Sequence, residues 1–271
     1  MRTIDSILAV AGQYETIVFD QWGVLHNGKA PYPEAVTTVQ KLQAMDVQLC
    51  VLSNSGKRAD INRQRITDIG FAPQAFDIVM TSGEALAHDT REPTAVGHRS
   101  FFPITAGPLD AKTWAKGLPV ELTDDLKSAD AVLLMGLPDA EDHPTEKALL
   151  DRALQMGLTL ICSNPDRASP RAGGRLVQSP GALAHAYLEA GGDVVFYGKP
   201  HPAIFKALSD QIKATQPSHV LMVGDSPEHD IVGANSAGWD SLFVAGGLHS
   251  GNADLRFDQD AIPTYIIPTL R

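Results

Sequence analysis

No stretch of this chain approaches the ~20 consecutive apolar residues that would cross a bilayer, and no low-complexity tract or block of like charge interrupts it. Basic residues are the minority. Against 32 Asp and Glu there are 22 Lys and Arg, for a net charge of −10 and an isoelectric point near 5.3. That sign argues against nucleic acid or an anionic membrane as partner. It also repels a phosphorylated ligand, so a phosphate site here needs local cations or a metal. Cysteine is scarce: Cys50 and Cys162 each lie inside an apolar, strand-like run. Two such thiols suit a reducing cytosol rather than a disulfide framework. The opening MRTIDSILAVAGQYE has too short an apolar stretch, and too early an acid at Asp5, for a signal peptide. A soluble, cytoplasmic protein is expected.

What the chain does have is alternation. Its 271 residues are 44% apolar and 20% charged, enough for one large domain or two modest ones. The run TIVFD reads as a buried parallel strand, and Val36, Val39, Leu42 and Met45 then fall near helical spacing. VQLCVLSNSG repeats the strand, a polar segment from Lys57 to Ile69 repeats the helix, and FDIVMTSGEAL begins the cycle again. Such alternation predicts a doubly wound, Rossmann-like parallel sheet. Between Ser82 and Gly192 the runs RSFFPITAG, ADAVLLMGL and LTLICSNPD form an α/β block of their own. The expected organisation is one core, 1–81 and 193–271, with a cap of 82–192 inserted into it.

In such sheets chemistry collects at the carboxyl ends of strands. Asp20 ends the first run and suits a nucleophile or a metal ligand. Ser53 and Asn54 offer a hydroxyl, an amide and backbone N–H groups. Lys199 sits between a glycine and a proline, and Asp225 and Asp230 stand five apart in VGDSPEHDIVGA. A hard cation such as Mg²⁺ takes carboxylate, water and phosphate oxygens. A carboxylate attacking a phosphate needs both the metal and a lysine to offset the charge that gathers. Taken singly, each residue has a plainer reading as a helix cap, a turn residue or a surface charge. Together, in this order, they point to phosphoryl transfer.

FDQWGVLHNG, LSNSG, YGKPHPAIF and VGDSPEHDIVGANSAGWDSLFVAGG carry a resemblance to the haloacid dehalogenase superfamily. Within it the chain is similar to the class IIA branch of sugar-phosphate and nucleotide-type phosphatases. The resemblance implies Mg²⁺, a small phosphorylated metabolite as substrate, a large cap and a homodimer formed through it. It implies that Asp20 is the nucleophile, that Ser53 with Asn54 contacts phosphate and that Lys199 neutralises charge. By the same resemblance Asp225 and the backbone carbonyl of Trp22 join Asp20 on the metal, with Asp230 in support.

Position 22 departs from the pattern. Phosphatases of the superfamily have there an Asp that protonates the leaving alcohol, and an indole does not do so near neutral pH. Losing such a group costs about 10²- to 10⁴-fold, or roughly 3 to 5 kcal/mol. Three readings stay open, in this order: a working phosphatase, a phospho-ligand-binding or regulatory module, and a hydrolase of some other bond. His26 is the nearest replacement proton donor in sequence and a candidate substrate contact. Asn164 and Asp166 of SNPDR are further candidate contacts, with an Asx turn before Pro165 as the competing reading.

Overall fold

The computed structural model describes residues 1–91, 97–170, 176–247 and 256–271. In chain order the strands begin with β1 (Arg2–Thr3), β2 (Thr16–Phe19), β3 (Gln48–Ser53) and β4 (Ile78–Thr81). Then come β5 (Ser100–Ile104), β6 (Glu121–Leu122), β7 (Ala131–Leu134), β8 (Thr159–Cys162), β9 (Ala168–Pro170), β10 (Leu176–Gln178) and β11 (Val194–Phe196). The last three are β12 (Val220–Gly224), β13 (Asp240–Val244) and β14 (Tyr265–Ile267). By contact density the chain divides into two compact units. The larger holds Met1–Ser53, Ala59–Met80 and Lys199–Arg271; the smaller holds Asn54–Arg58 and Thr81–Gly198.

The larger unit is built on a seven-stranded sheet of order β1-β14-β13-β12-β2-β3-β4. From β1 to β3 every neighbouring pair is parallel. Strands such as TIVF and VLMVG are buried at every position, as expected of a sheet covered on both faces. Helix Ala35–Gln43 turns Ala35, Thr38, Val39 and Leu42 inward. Met45, expected on that face, lies beyond the helix end and is 40% exposed. Helix Ala59–Ile69 buries Ile66 and, less expectedly, Asn62. It stops at Gly70, whose φ of +128° suits glycine.

The smaller unit has its own sheet of order β11-β8-β7-β5-β6, parallel throughout, and a two-stranded antiparallel ribbon of β9 and β10. Phe101 and Trp114 are buried edge to face in it, and Phe102 packs at the rim of its core. One strand falls differently from the sequence division. Val194–Phe196 was expected to open the second core segment, yet it pairs with β8 as an edge strand of the smaller sheet. Its composition, VVF, suits either sheet, and only its pairing with β8, more than thirty residues earlier in the chain, decides. Both cysteines are buried free thiols, Cys50 in β3 and Cys162 in β8, and burial lifts each pKa to about 12.

Candidate active site

Register delivers the first two carboxylates. Phe19 of β2 stands opposite Val223 of β12, and the Asp20 N–H donates to the Val223 carbonyl at 2.9 Å. Asp20 thus leaves the sheet beside Asp225, which follows the last residue of β12. Two glycines make room for Asp225. A Cβ on Gly23 would lie 1.9 Å from Asp225 Oδ2, and a Cβ on Gly247 would lie 2.4 Å from the same atom. Gly23 also holds φ +91°, so two constraints demand glycine there. These glycines were not among the candidate residues.

Asp230 is placed by a π-helical turn, Pro227–Ile231, opened by Ser226. Its Oδ2 accepts the N–H groups of Asp225 and Ser226, at 3.1 and 3.0 Å. Its Oδ1 accepts from Lys199 Nζ at 2.7 Å, and the same ammonium donates to Asp20 Oδ1 at 2.7 Å. Lys199 therefore joins the two strand ends. Burial alone would depress its pKa, but the facing Asp20 and Asp230 carboxylates outweigh burial and hold it above the ordinary lysine value. Burial raises Asp20 to about 6 against the opposing pull of Lys199.

One oxygen from each of Asp20, Asp225 and Asp230 lies within 4.8 Å of the others. Three carboxylates and one lysine leave two negative charges uncompensated among these four residues. Uncompensated buried charge is costly, and an all-oxygen donor set suits a hard divalent cation. The residues therefore fit Mg²⁺. Both Asp230 oxygens already hold protein groups, the Lys199 ammonium on one and two backbone N–H groups on the other. Magnesium should raise the thermal midpoint of the wild type, by about 2.7 kcal/mol of added stability at a hundredfold excess over its dissociation constant. Calorimetry of Asp225→Asn should show much less; an equal gain would place the ion elsewhere.

Ser53 closes β3 in the larger unit, whereas Asn54, the next residue, belongs to the smaller one. Asn164 and Asp166 also lie in the smaller unit. Asn164 Oδ1 accepts the Asp166 N–H at 3.2 Å, which is the Asx turn that competed with a substrate contact. The Asp166 carboxylate accepts from Asn54 Nδ2 at 2.7 Å, a partnership that no short-range signal announced.

Trp22 is half-buried in the loop after Asp20. Its ring lies over Gly28, where a Cβ would sit 2.4 Å from Cζ3, and meets His26 edge to face. His26 departs from expectation. It is 1% exposed, so its ring is not presented to a substrate. Nδ1 accepts the Gly28 N–H at 3.1 Å, which puts the ring proton on Nε2, a buried atom with no hydrogen-bond partner among the described residues. Burial, with a smaller push from Arg65, depresses its pKa to about 4. Near neutral pH the ring is uncharged and holds the loop.

The two shifts act oppositely on metal-free stability. The Asp20 contribution is full below its unfolded value of 3.8 and is lost as pH rises through 6. The His26 contribution is full above 6.5 and is lost as pH falls towards 4. Between pH 7 and 5, Asp20→Asn should lose more stability than the wild type and His26→Asn less. Thermal scans without metal check this, and parallel curves for all three proteins would refute both assignments.

Fold and site together define an α/β protein whose strand-end carboxylates converge on one buried lysine. Comparison with known proteins agrees. A family model for haloacid dehalogenase-like hydrolases matches residues 14–238. A solved hydrolase of the haloacid dehalogenase-like family from Brucella suis 1330 is 30% identical with a TM-score of 0.83, covering 99% of this chain and 100% of that one. The D-glycerol 3-phosphate phosphatase of Mycobacterium tuberculosis is 28% identical over 264 residues, 97% of this chain and 72% of that protein. A crystal structure of glycerol phosphate phosphatase from that organism, in complex with magnesium, shares the fold at 24% identity and a TM-score of 0.75, covering 97% of this chain and 77% of that one. The chain belongs to the haloacid dehalogenase-like hydrolases.

Proposed function

We propose that this hydrolase is a Mg²⁺-dependent, cytoplasmic phosphatase of a small phosphorylated metabolite, with Asp20 as its nucleophile. The observation that carries the reading is the Lys199 ammonium set 2.7 Å from both Asp20 and Asp230, beside Asp225. As Asp20 attacks phosphorus the bond from phosphorus to the ester oxygen breaks, the departing alkoxide takes its proton from solvent water, and a second water then hydrolyses the aspartyl-phosphate to inorganic phosphate and free Asp20. Lys199 orients Asp20 and offsets the charge that gathers as two anions meet. Ser53 and Asn54 take the non-bridging phosphate oxygens. Asp230 keeps Lys199 in place and shapes the turn that presents Asp225. Asp20, Asp225 and the Trp22 carbonyl would hold Mg²⁺, which would supply the remaining positive charge.

Glycerol 3-phosphate is the first substrate to test, because the Mycobacterium tuberculosis relative bears its name. Release of inorganic phosphate from a panel of phosphorylated metabolites, with magnesium present, tests the reading. Magnesium binding without release from any member would sink it. Trp22 favours one second reading, a module that binds a phosphorylated ligand and turns it over slowly. Its mark is a ligand recovered unchanged after long incubation with the metal.

A further inference from the structure

Asn54 and Asp166 are 112 residues apart in the chain and meet inside the smaller unit. The placement of Asp166 is over-determined. Asn164 caps its N–H, and its carbonyl accepts from Gly181 N–H at 3.0 Å. A Cβ on Gly181 would lie 1.9 Å from the Pro165 carbonyl oxygen and 2.6 Å from that of Asp166. On the other side, a Cβ on Gly198 would lie 2.4 Å from Pro165 Cδ and 2.9 Å from Asn54 Oδ1. Two glycines thus let four segments, at Asn54, residues 164–166, Gly181 and Gly198, meet at one amide–carboxylate pair.

The chemistry of that pair is directional. An ionised carboxylate only accepts, so the Asn54 amide must turn its NH₂ towards Asp166 and its Oδ1 towards Gly198. An amide without such a partner exchanges its two ends at little cost. The bond is charge-assisted and polarises the remaining N–H of Asn54. A carboxylate facing a phosphate directly would repel it, whereas the same charge acting through an amide strengthens a donor.

We propose that Asp166 is a positioning residue, acting on the substrate phosphate through the orientation of the Asn54 amide and not by touching the substrate. The inference rests on the phosphatase reading and on Asn54 as a phosphate contact.

A double-mutant cycle of Asn54→Ala and Asp166→Ala tests it, with two readouts. One is kcat and KM for a phosphate ester; the other is the dissociation constant of inorganic phosphate, by calorimetry with magnesium. Asp166→Ala should weaken phosphate binding and raise KM by about 10-fold or more, within the roughly 10- to 100-fold range of outer-shell partners, with kcat changing less. Asp166→Asn should recover most of the loss, since its carbonyl can accept the same bond. The double variant should bind phosphate no worse than Asn54→Ala alone. Should Asp166→Ala fail to fold, Asp166→Ser completes the same cycle. Losses that multiply in the double variant, or phosphate binding untouched by Asp166→Ala, would overturn the proposal. Coupled phosphate binding in a protein that hydrolyses no ester would overturn the phosphatase reading alone. Hydrolysis with uncoupled losses would overturn the positioning role alone.

Discussion

Asp20→Asn should abolish hydrolysis of every phosphate ester, by at least about 10⁴-fold, while the protein still folds. An amide is a poor nucleophile, and removing a nucleophile costs about as much as removing the whole catalytic set it works with. The fold should survive because the side chain leaves the end of β2 without packing in the core. Asn keeps an oxygen that can accept the 2.7 Å bond from Lys199. Rapid quench in acid should trap radiolabelled phosphate on the wild type and none on the variant. Single-turnover assays give the rate, and near-normal rates in Asp20→Asn would move the attack to another group.

The second large effect is a gain. Trp22→Asp should raise turnover of alkyl phosphates such as glycerol 3-phosphate by about 10²-fold, the lower end of what a positioned acid contributes. Aryl phosphates, whose leaving groups depart without a proton, should change little. In the wild type the same argument predicts much faster turnover of aryl than of alkyl esters. The loop has reason to tolerate the change. Its hydrogen bonds, Gly23 N–H to His26 O, Gly28 N–H to His26 Nδ1, and Lys29 and Ala30 N–H to Asn27 Oδ1, do not involve the indole. Steady-state kinetics on both ester classes check it. A folded, magnesium-binding variant without any gain would mean that the leaving group takes its proton from somewhere other than position 22.

Much of the cluster of carboxylates around Lys199 could be read from local pattern. Asp20 and Asp225 follow buried runs whose composition admits little but parallel strands, and adjacent strands bring such residues together. Asp230 was legible because five residues span one turn. The partnership of Asn54 with Asp166 was hidden, since nothing near either residue announces a contact over such a separation. His26 misled for a related reason. A histidine between a leucine and an asparagine looks like an exposed loop residue, and only the folded loop shows the ring buried and Nδ1 engaged. The strand Val194–Phe196 went to the other sheet because edge pairing depends on partners that a local window does not contain.

The two sealed thiols make the native chain a blank background for labelling. Near neutral pH neither Cys50 nor Cys162 offers an accessible thiolate to maleimide, so a single cysteine introduced on any exposed helix would carry the whole signal. Fluorescent or spin probes can therefore be attached without first stripping out the natural sulfurs, and the packing of β3 and β8 stays intact while they report.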